Sequence, residues 1–347
     1  MQTALTIRTA ASRPRVASSA SSSRGFTLIE LMTTMAIVGL LTAMLMPAVQ
    51  SARESARRAS CQNHLRQIGL AVSLHHDARR YLPSSGNSGV ISRLGGRVTS
   101  AGGTPYQQAG TLFQLLPYLE EQQGHAADDA SARGLVVASY FCPSRRSPRS
   151  RLDENDLPVG LNDYAMPVWK DTTAGPGKGG ASAGCWNYWS DATATDEINH
   201  PFYRNTAFVR GGVRDTAFAP GRISHITDGT ANVILVAEKF VDPTRYEPLP
   251  ATQDPAQNGW PGLSFTDNGY FGGWSWATMR CTGYGPMPDQ PYGAIAYWQM
   301  FGAAHPTAMN AVFADGSVRP LSYEIANAVF QLLCRKNDGF SVDLSGL

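Results

Sequence analysis

Between residues 26 and 46 the side chains are apolar or small, interrupted by a few threonines and a single carboxylate, Glu30. At about 1.5 Å per residue this run spans roughly 31 Å as a helix, close to the ~30 Å hydrocarbon thickness of a bilayer. Residues 1–25 are rich in Ser and Ala and hold Arg8, Arg13, Arg15 and Arg24 with no acidic residue, the make-up of a targeting segment ahead of a membrane helix. Basic residues before the run and none within it orient the N-terminus to the cytoplasm and the remainder outward. Pro47 falls at the outer end of the span, where a kink or exit is tolerated. An ordinary secretory signal is the competing reading, with Val49-Gln50-Ser51 as its small-residue cut site. The run is longer than the usual ~7–15 residues of such a signal. It also contains a carboxylate, which costs about 2.5–3.5 kcal/mol at membrane depth and needs a partner there.

The formal charge of +2 is an artefact of the leader: taking its four arginines from the 29 basic residues leaves 25 against 27 acidic ones. The remaining chain is slightly acidic, which removes the electrostatic case for nucleic-acid binding. The five cysteines, Cys61, Cys142, Cys185, Cys281 and Cys334, contain no CxxC pair, so the common zinc patterns are absent. In an exported chain they permit one or two disulfides and leave at least one thiol over. At 347 residues with 43% hydrophobic composition the chain can bury a sizeable core.

Arg24-Gly25-Phe26-Thr27-Leu28-Ile29-Glu30-Leu31 resembles the prepilin-type cleavage and methylation motif of type IV pilins and type II secretion pseudopilins. The resemblance implies cleavage after Gly25 by a prepilin peptidase, N-methylation of the new Phe26 amine, and use of Glu30 in assembly. The residues make chemical sense of those roles: a cut at Gly25 leaves the Phe26 ammonium one helical turn from the Glu30 carboxylate. The pair can neutralise within a chain or between stacked neighbours, giving helix packing a register-setting contact.

From residue 51 to 80 the chain turns polar, and Cys61, Leu65, Ile68, Val72 and His75 recur at helical spacing. This predicts a continuing stem helix whose apolar stripe packs on the exported domain, with Arg53, Glu54, Arg57, Arg58 and Arg66 off the stripe. The basic run reads as a solvated face or, alternatively, as a contact for lipid phosphates. His75 and His76 read as cap or surface residues at the helix end. The stretch SCQNHLRQIGLA at 60–71 is similar to proteins carrying the DUF1559 domain. Residues 112–121 (LFQLLPYLEE), 140–144 (YFCPS), 223–238 (ISHITDGTANVILVAE) and 305–318 (HPTAMNAVFADGSV) fit the same family. That resemblance implies an exported α+β domain with a pilin-like core and no established activity; the long glycine-rich middle of this chain departs from it.

The expected fold is thus α+β, a long N-terminal helix packed on an antiparallel sheet with long loops. The expected divisions are a leader at 1–25, a membrane segment at 26–47, a stem at 48–82 and an exported domain at 83–347. Residues 111–123 predict a short helix interrupted by Pro117, and 136–142 a strand ending at Cys142. Cys61 on the stripe and Cys142 at that strand's end are the pair expected to join, rather than remain thiols. Asp228-Gly229 predicts a turn before a strand at 232–237, Trp274 and Trp276 alternate across another strand, and Asp315-Gly316 predicts a hairpin turn.

His305 and Asp315-Gly316 form a His-x9-Asp-Gly motif with two readings: a metal-bracketing or hairpin-holding pair, or a structural histidine and a turn aspartate. Asp228, Glu238 and Asp315 are weak candidates for Ca2+, lacking any EF-hand spacing. The Gly-rich run at 175–180 lacks the Ser or Thr of a phosphate loop. Trp186, Trp189, Trp260, Trp274, Trp276 and Trp298 read as an aromatic ligand platform or, more cheaply, as packing. No nucleophile elbow, HExxH or paired-carboxylate signature marks an enzyme. The expected role is a pilin- or pseudopilin-like subunit in the inner membrane with a periplasmic domain. Its expected partners are the prepilin peptidase and methylase and other pilin-like subunits. The alternative is a membrane-tethered module that binds an unidentified ligand without polymerising.

Overall fold

The structure is a computed structural model that describes residues 25–86, 109–153, 156–168, 206–208, 221–247, 269–273, 275, 277–291 and 300–340. Residues 1–24 of the leader, the glycine-rich run at 175–180, Cys185 and all six tryptophans named above lie outside the described residues. The chain divides into two units, 1–52 and 53–347.

One helix, α1 (Leu28–Arg79), crosses that division and contains Pro47. Its first half presents Leu, Ile, Met and Val side chains that all remain exposed, Leu28 and Met44 among them. This half is long and apolar enough to cross a membrane. Its start is a capping box: Thr27 Oγ1 accepts from the Glu30 backbone N–H at 3.3 Å, while the Glu30 carboxylate accepts from Thr27 N at 2.9 Å and Thr27 Oγ1 at 2.7 Å.

The second unit is built on the stripe that helical spacing picks out. Cys61, Leu65, Ile68, Gly69, Ala71, Val72 and His75 are the buried residues of α1. Beyond the helix come α2 (Thr111–Leu115), α3 (Gln122–Ala126) and α4 (Asp129–Gly134). Pro117 sits in the 3-10 turn that follows α2, so the helix expected over 111–123 is broken into two short pieces at the proline. The strands are β1 (Ser150–Leu152), β2 (Pro158–Gly160), β3 (Tyr164–Val168), β4 (Ile234–Glu238), β5 (Met279–Cys281), β6 (Met287–Pro288), β7 (Gly302–Ala303), β8 (Ala308–Phe313) and β9 (Val318–Ser322), followed by α5 (Asn327–Leu333).

The main sheet runs β5-β3-β4-β8-β9. It is mixed: β3 pairs β5 in parallel, while β3–β4, β4–β8 and β8–β9 are antiparallel. The class is α+β, and the expectation of a wholly antiparallel sheet is corrected at that one edge. Both faces are covered. Tyr164, Met166, Leu235, Val236 and Val312 pack with the α1 stripe and α2, and Ala165, Ile234, Met309, Ala311 and Phe313 pack with α5. A central strand covered on both sides needs a continuous apolar run, which is why β4 reads Ile-Leu-Val-Ala without alternation.

Gly69 brings α1 close to the sheet. A Cβ placed there meets Val312 Cγ2 at 2.6 Å. The β8–β9 hairpin turns through Gly316 at φ +82°, a conformation that favours glycine.

The strand expected at 136–142 does not form. A 3-10 turn occupies Ala138–Tyr140, pinned by Tyr140 OH donating to Leu112 O at 2.6 Å. Cys142 N–H then donates to a carboxylate, Asp163 Oδ2, at 3.0 Å rather than to a sheet ladder.

Candidate functional site

The residues singled out at the N-terminus lie in the first unit. Gly25 and Phe26 precede the helix, exposed, and Glu30 occupies its first turn with the Thr27 capping contacts as its described partners.

The second site lies where the stem meets the sheet. Cys61 and Cys142 are joined by a disulfide with a Cα–Cα distance of 5.1 Å, and both are fully buried. Against it sits His305, in the link from β7 to β8, with its backbone carbonyl held by Tyr323 OH at 2.8 Å. Its Nδ1 meets Glu54 Oε1 of α1 at 2.9 Å. Its Nε2 lies 3.3 Å from Glu238 Oε1 at the end of β4 and 3.6 Å from Cys142 Sγ. Glu238 is fully buried, and its Oε2 accepts from Asn310 N and Nδ2 at 2.7 and 3.0 Å. Glu54 is further held by Arg57 at 2.7 Å and by Ser144 Oγ at 3.3 Å.

These contacts set the charges. Burial pushes the His305 imidazole down, but hydrogen bonding and charge from Glu238 and Glu54 outweigh it and raise the group above the ordinary histidine value. Partial burial pushes Glu54 up. The His305 and Arg57 hydrogen bonds and charges reverse that and hold its carboxyl below the usual range. The His305 ring, held between two carboxylates, therefore ties helix to sheet beside the disulfide.

The partner of His305 is not Asp315. Asp315 Oδ1 accepts from Ser317 N at 2.9 Å and Ser317 Oγ at 2.6 Å, closing the hairpin turn. Asp228 is likewise occupied locally, taking Asp338 N at 2.7 Å and Gly339 N at 2.9 Å. The weak Ca2+ set of Asp228, Glu238 and Asp315 is thus dispersed into three separate roles. His75, expected as a cap or surface residue, is buried as the last member of the stripe, with its Nδ1 3.2 Å from the Tyr81 carbonyl just past the helix end and edge contacts to Tyr81 and Tyr118.

Sequence reasoning missed the role of Glu54, although it lies seven residues before Cys61 and so on the same helical face. It also missed a buried polar layer behind Cys142. Arg145 donates to Asp289 at 2.8 Å, to Lys239 O at 2.6 Å and to Asp163 O at 3.2 Å, while Arg146 reaches Asp163 at 2.8 Å. The consecutive arginines after Cys142-Pro143-Ser144 were the available signal. The basic residues of the stem divide: Arg58 donates to Thr307 Oγ1 at 3.3 Å, and Arg57 pairs with Glu54.

The profile described as "Protein of unknown function (DUF1559)" matches residues 50–328. The chain belongs to the DUF1559 family. The match takes in the whole stem–sheet junction, so Glu54, Cys61, Cys142, Glu238 and His305 all fall within the DUF1559 region. Residues 20–46 match the prokaryotic N-terminal methylation motif, which covers Gly25, Phe26 and Glu30. No curated protein and no solved structure matches the chain. The motif and the apolar helix together make this DUF1559 protein a prepilin-like, membrane-anchored subunit.

Proposed function

We propose that the chain is a pilin- or pseudopilin-like subunit, cut after Gly25, methylated on Phe26 and assembled through α1 into a secretion-related or surface structure. Its role is structural rather than catalytic. It sits in the inner membrane as a single pass, N-terminus in the cytoplasm and DUF1559 domain in the periplasm. Its partners are the prepilin peptidase and methylase and other pilin-like subunits, itself included.

One observation carries this reading: Glu30 is the lone acidic residue in an exposed apolar helical surface, four positions from the residue that the cut would turn into an amine. A carboxylate in that setting is held by a positive partner or it opposes insertion. In the uncut chain Glu30 caps its own helix through Thr27. The ammonium created at Phe26 competes for that carboxylate, within one chain or from a neighbour, so processing and assembly are linked through one side chain.

N-terminal mass spectrometry of the membrane-extracted chain is expected to begin at methylated Phe26, and a chain retaining Arg24 would defeat the processing claim. Glu30→Ala is expected to leave cleavage and export intact and to abolish cross-linkable assemblies. Wild-type cross-linking in that variant would overturn the role of Glu30 in assembly, and a wild-type chain that yields no cross-linked assemblies would favour the tethered, non-polymerising module instead.

A further inference from the structure

We infer that the dithiol form of the stem–sheet junction is a binding site for one thiophilic divalent cation of the Zn2+ class, held by Cys61, Cys142, His305 and Glu238. The Sγ, Nε2 and carboxylate oxygen atoms of these four residues all lie within 4.8 Å of one another, and all four residues are buried. Two sulfurs, one imidazole and one carboxylate are a donor set suited to a tetrahedral, borderline-soft ion.

The spacing bears this out. Metal–ligand bonds of ~2.3 Å to sulfur and ~2.0–2.1 Å to nitrogen or oxygen give tetrahedral edges of about 3.6 Å for S···N and about 3.3 Å for N···O. Cys142 Sγ lies 3.6 Å from His305 Nε2, and Glu238 Oε1 lies 3.3 Å from the same nitrogen. The two polar donors are already aimed and braced. His305 turns Nε2 inward because its Nδ1 is engaged by Glu54 at 2.9 Å, the carboxylate–histidine arrangement that orients metal-bound imidazoles. Glu238 keeps Oε2 on Asn310 and turns Oε1 inward, 3.3 Å from His305 Nε2 and with no further hydrogen bond among the described residues.

The disulfide and the metal exclude each other, since neutral disulfide sulfurs are poor ligands and the ion requires thiolates. Binding to the dithiol releases one proton from each thiol, together with any proton on His305 Nε2, since the ligating nitrogen must be free of hydrogen. Oxidation by an external disulfide reverses the state. One thiolate attacks that disulfide, the mixed disulfide is resolved by the second thiolate, and two electrons pass to the oxidant, which leaves as two thiols. Cys61 and Cys142 end joined and the cation departs. The junction therefore has two ways of clamping α1 to the sheet, one covalent and one through an ion.

The full chain in detergent, reduced with a phosphine and freed of it without air, is titrated with Co2+ and then with Zn2+. One Co2+ per chain with a thiolate-to-cobalt charge-transfer band, displaced by Zn2+, is expected. The disulfide form should show no such band. Cys61→Ser with Cys142→Ser should abolish the band, and Glu238→Gln should weaken binding at least tenfold. The wild-type comparison of reduced and oxidised chain stands even where a variant fails to fold. A reduced chain that binds no stoichiometric Co2+, whether folded or unfolded by circular dichroism, overturns the inference. So does an unchanged band in the double cysteine variant, which would place the metal on the other thiols.

Discussion

Glu30 and Glu54 are two carboxylates on one helix, and they are treated in opposite ways. Glu30 sits among exposed apolar side chains with its own helix start as its described support. Glu54 is held by Arg57, Ser144 and His305, two of them from parts of the chain 90 and 251 residues away. The same residue type on the same element thus serves two solvents. In the first half of α1 the backbone satisfies itself and the side chains are left for lipid or for other helices. In the second half the helix is one wall of a folded core, and its polar groups are matched one by one. A carboxylate without a tertiary partner is available to a partner outside the chain, whereas a matched one is part of the fold.

The contrast can be broken most severely at His305. His305→Ala leaves Glu238 buried without its cation and strips Glu54 of one. A loss of about 3–5 kcal/mol is expected in denaturant unfolding of the detergent-held chain with the disulfide intact. A loss below about 1 kcal/mol would mean that the His305 ring does not clamp helix to sheet.

Acid should act on the stem through His75. Burial lowers its imidazole to about 4, with the Tyr81 carbonyl hydrogen bond opposing and Arg79 and His76 assisting. The folded value lies below the ordinary ~6.5, so the unfolded chain takes the proton first as pH falls. Stability is complete above pH ~6.5 and declines toward pH ~4, by about 3 kcal/mol at most. His75→Phe, which keeps ring contacts with Tyr81 and Tyr118, should flatten that limb of the Tm–pH curve; an unchanged slope would assign the acid sensitivity elsewhere.

Gly69→Ala should be smaller. The added methyl gains helix propensity but meets the stiff Val312 side chain, for an expected net loss of about 1–3 kcal/mol. Val312→Ala in the same chain is expected to restore part of that loss if the clash is the cause. Smallest of all is the effect of Glu30→Ala on the DUF1559 domain, within about 0.5 kcal/mol, since no described contact of Glu30 reaches the second unit. A larger change would show that the two carboxylates are not separate in their roles.

Much of the helix was legible because its signals are local. The run at 26–46, the carboxylate inside it and the stripe from Cys61 to His75 are each visible within a few turns, where residue spacing alone decides which side chains share a face. The β8–β9 hairpin was legible for the same reason, with Asp315 and Gly316 adjacent in sequence and Gly316 taking the positive φ. The parallel β3–β5 edge was not, because its partners are separated by over a hundred residues and no local pattern encodes which distant strand a chain pairs with. The segment before Cys142 carried β-prone residues, yet Tyr140 and the Asp163 carboxylate drew it into a turn.

By itself the sequence determined where the methylation motif lies, which stretch can lie in a membrane, that Glu30 is the one carboxylate of that stretch, and which face of the stem is apolar. These follow from composition and helical period, which need no knowledge of what packs on what. Only the tertiary structure decided that His305 answers to Glu54 and Glu238 rather than to Asp315, and that all three gather at the Cys61–Cys142 link. The strength of a buried charge contact depends on distance and on exclusion of water, and both are set by the closing of α1 onto the sheet.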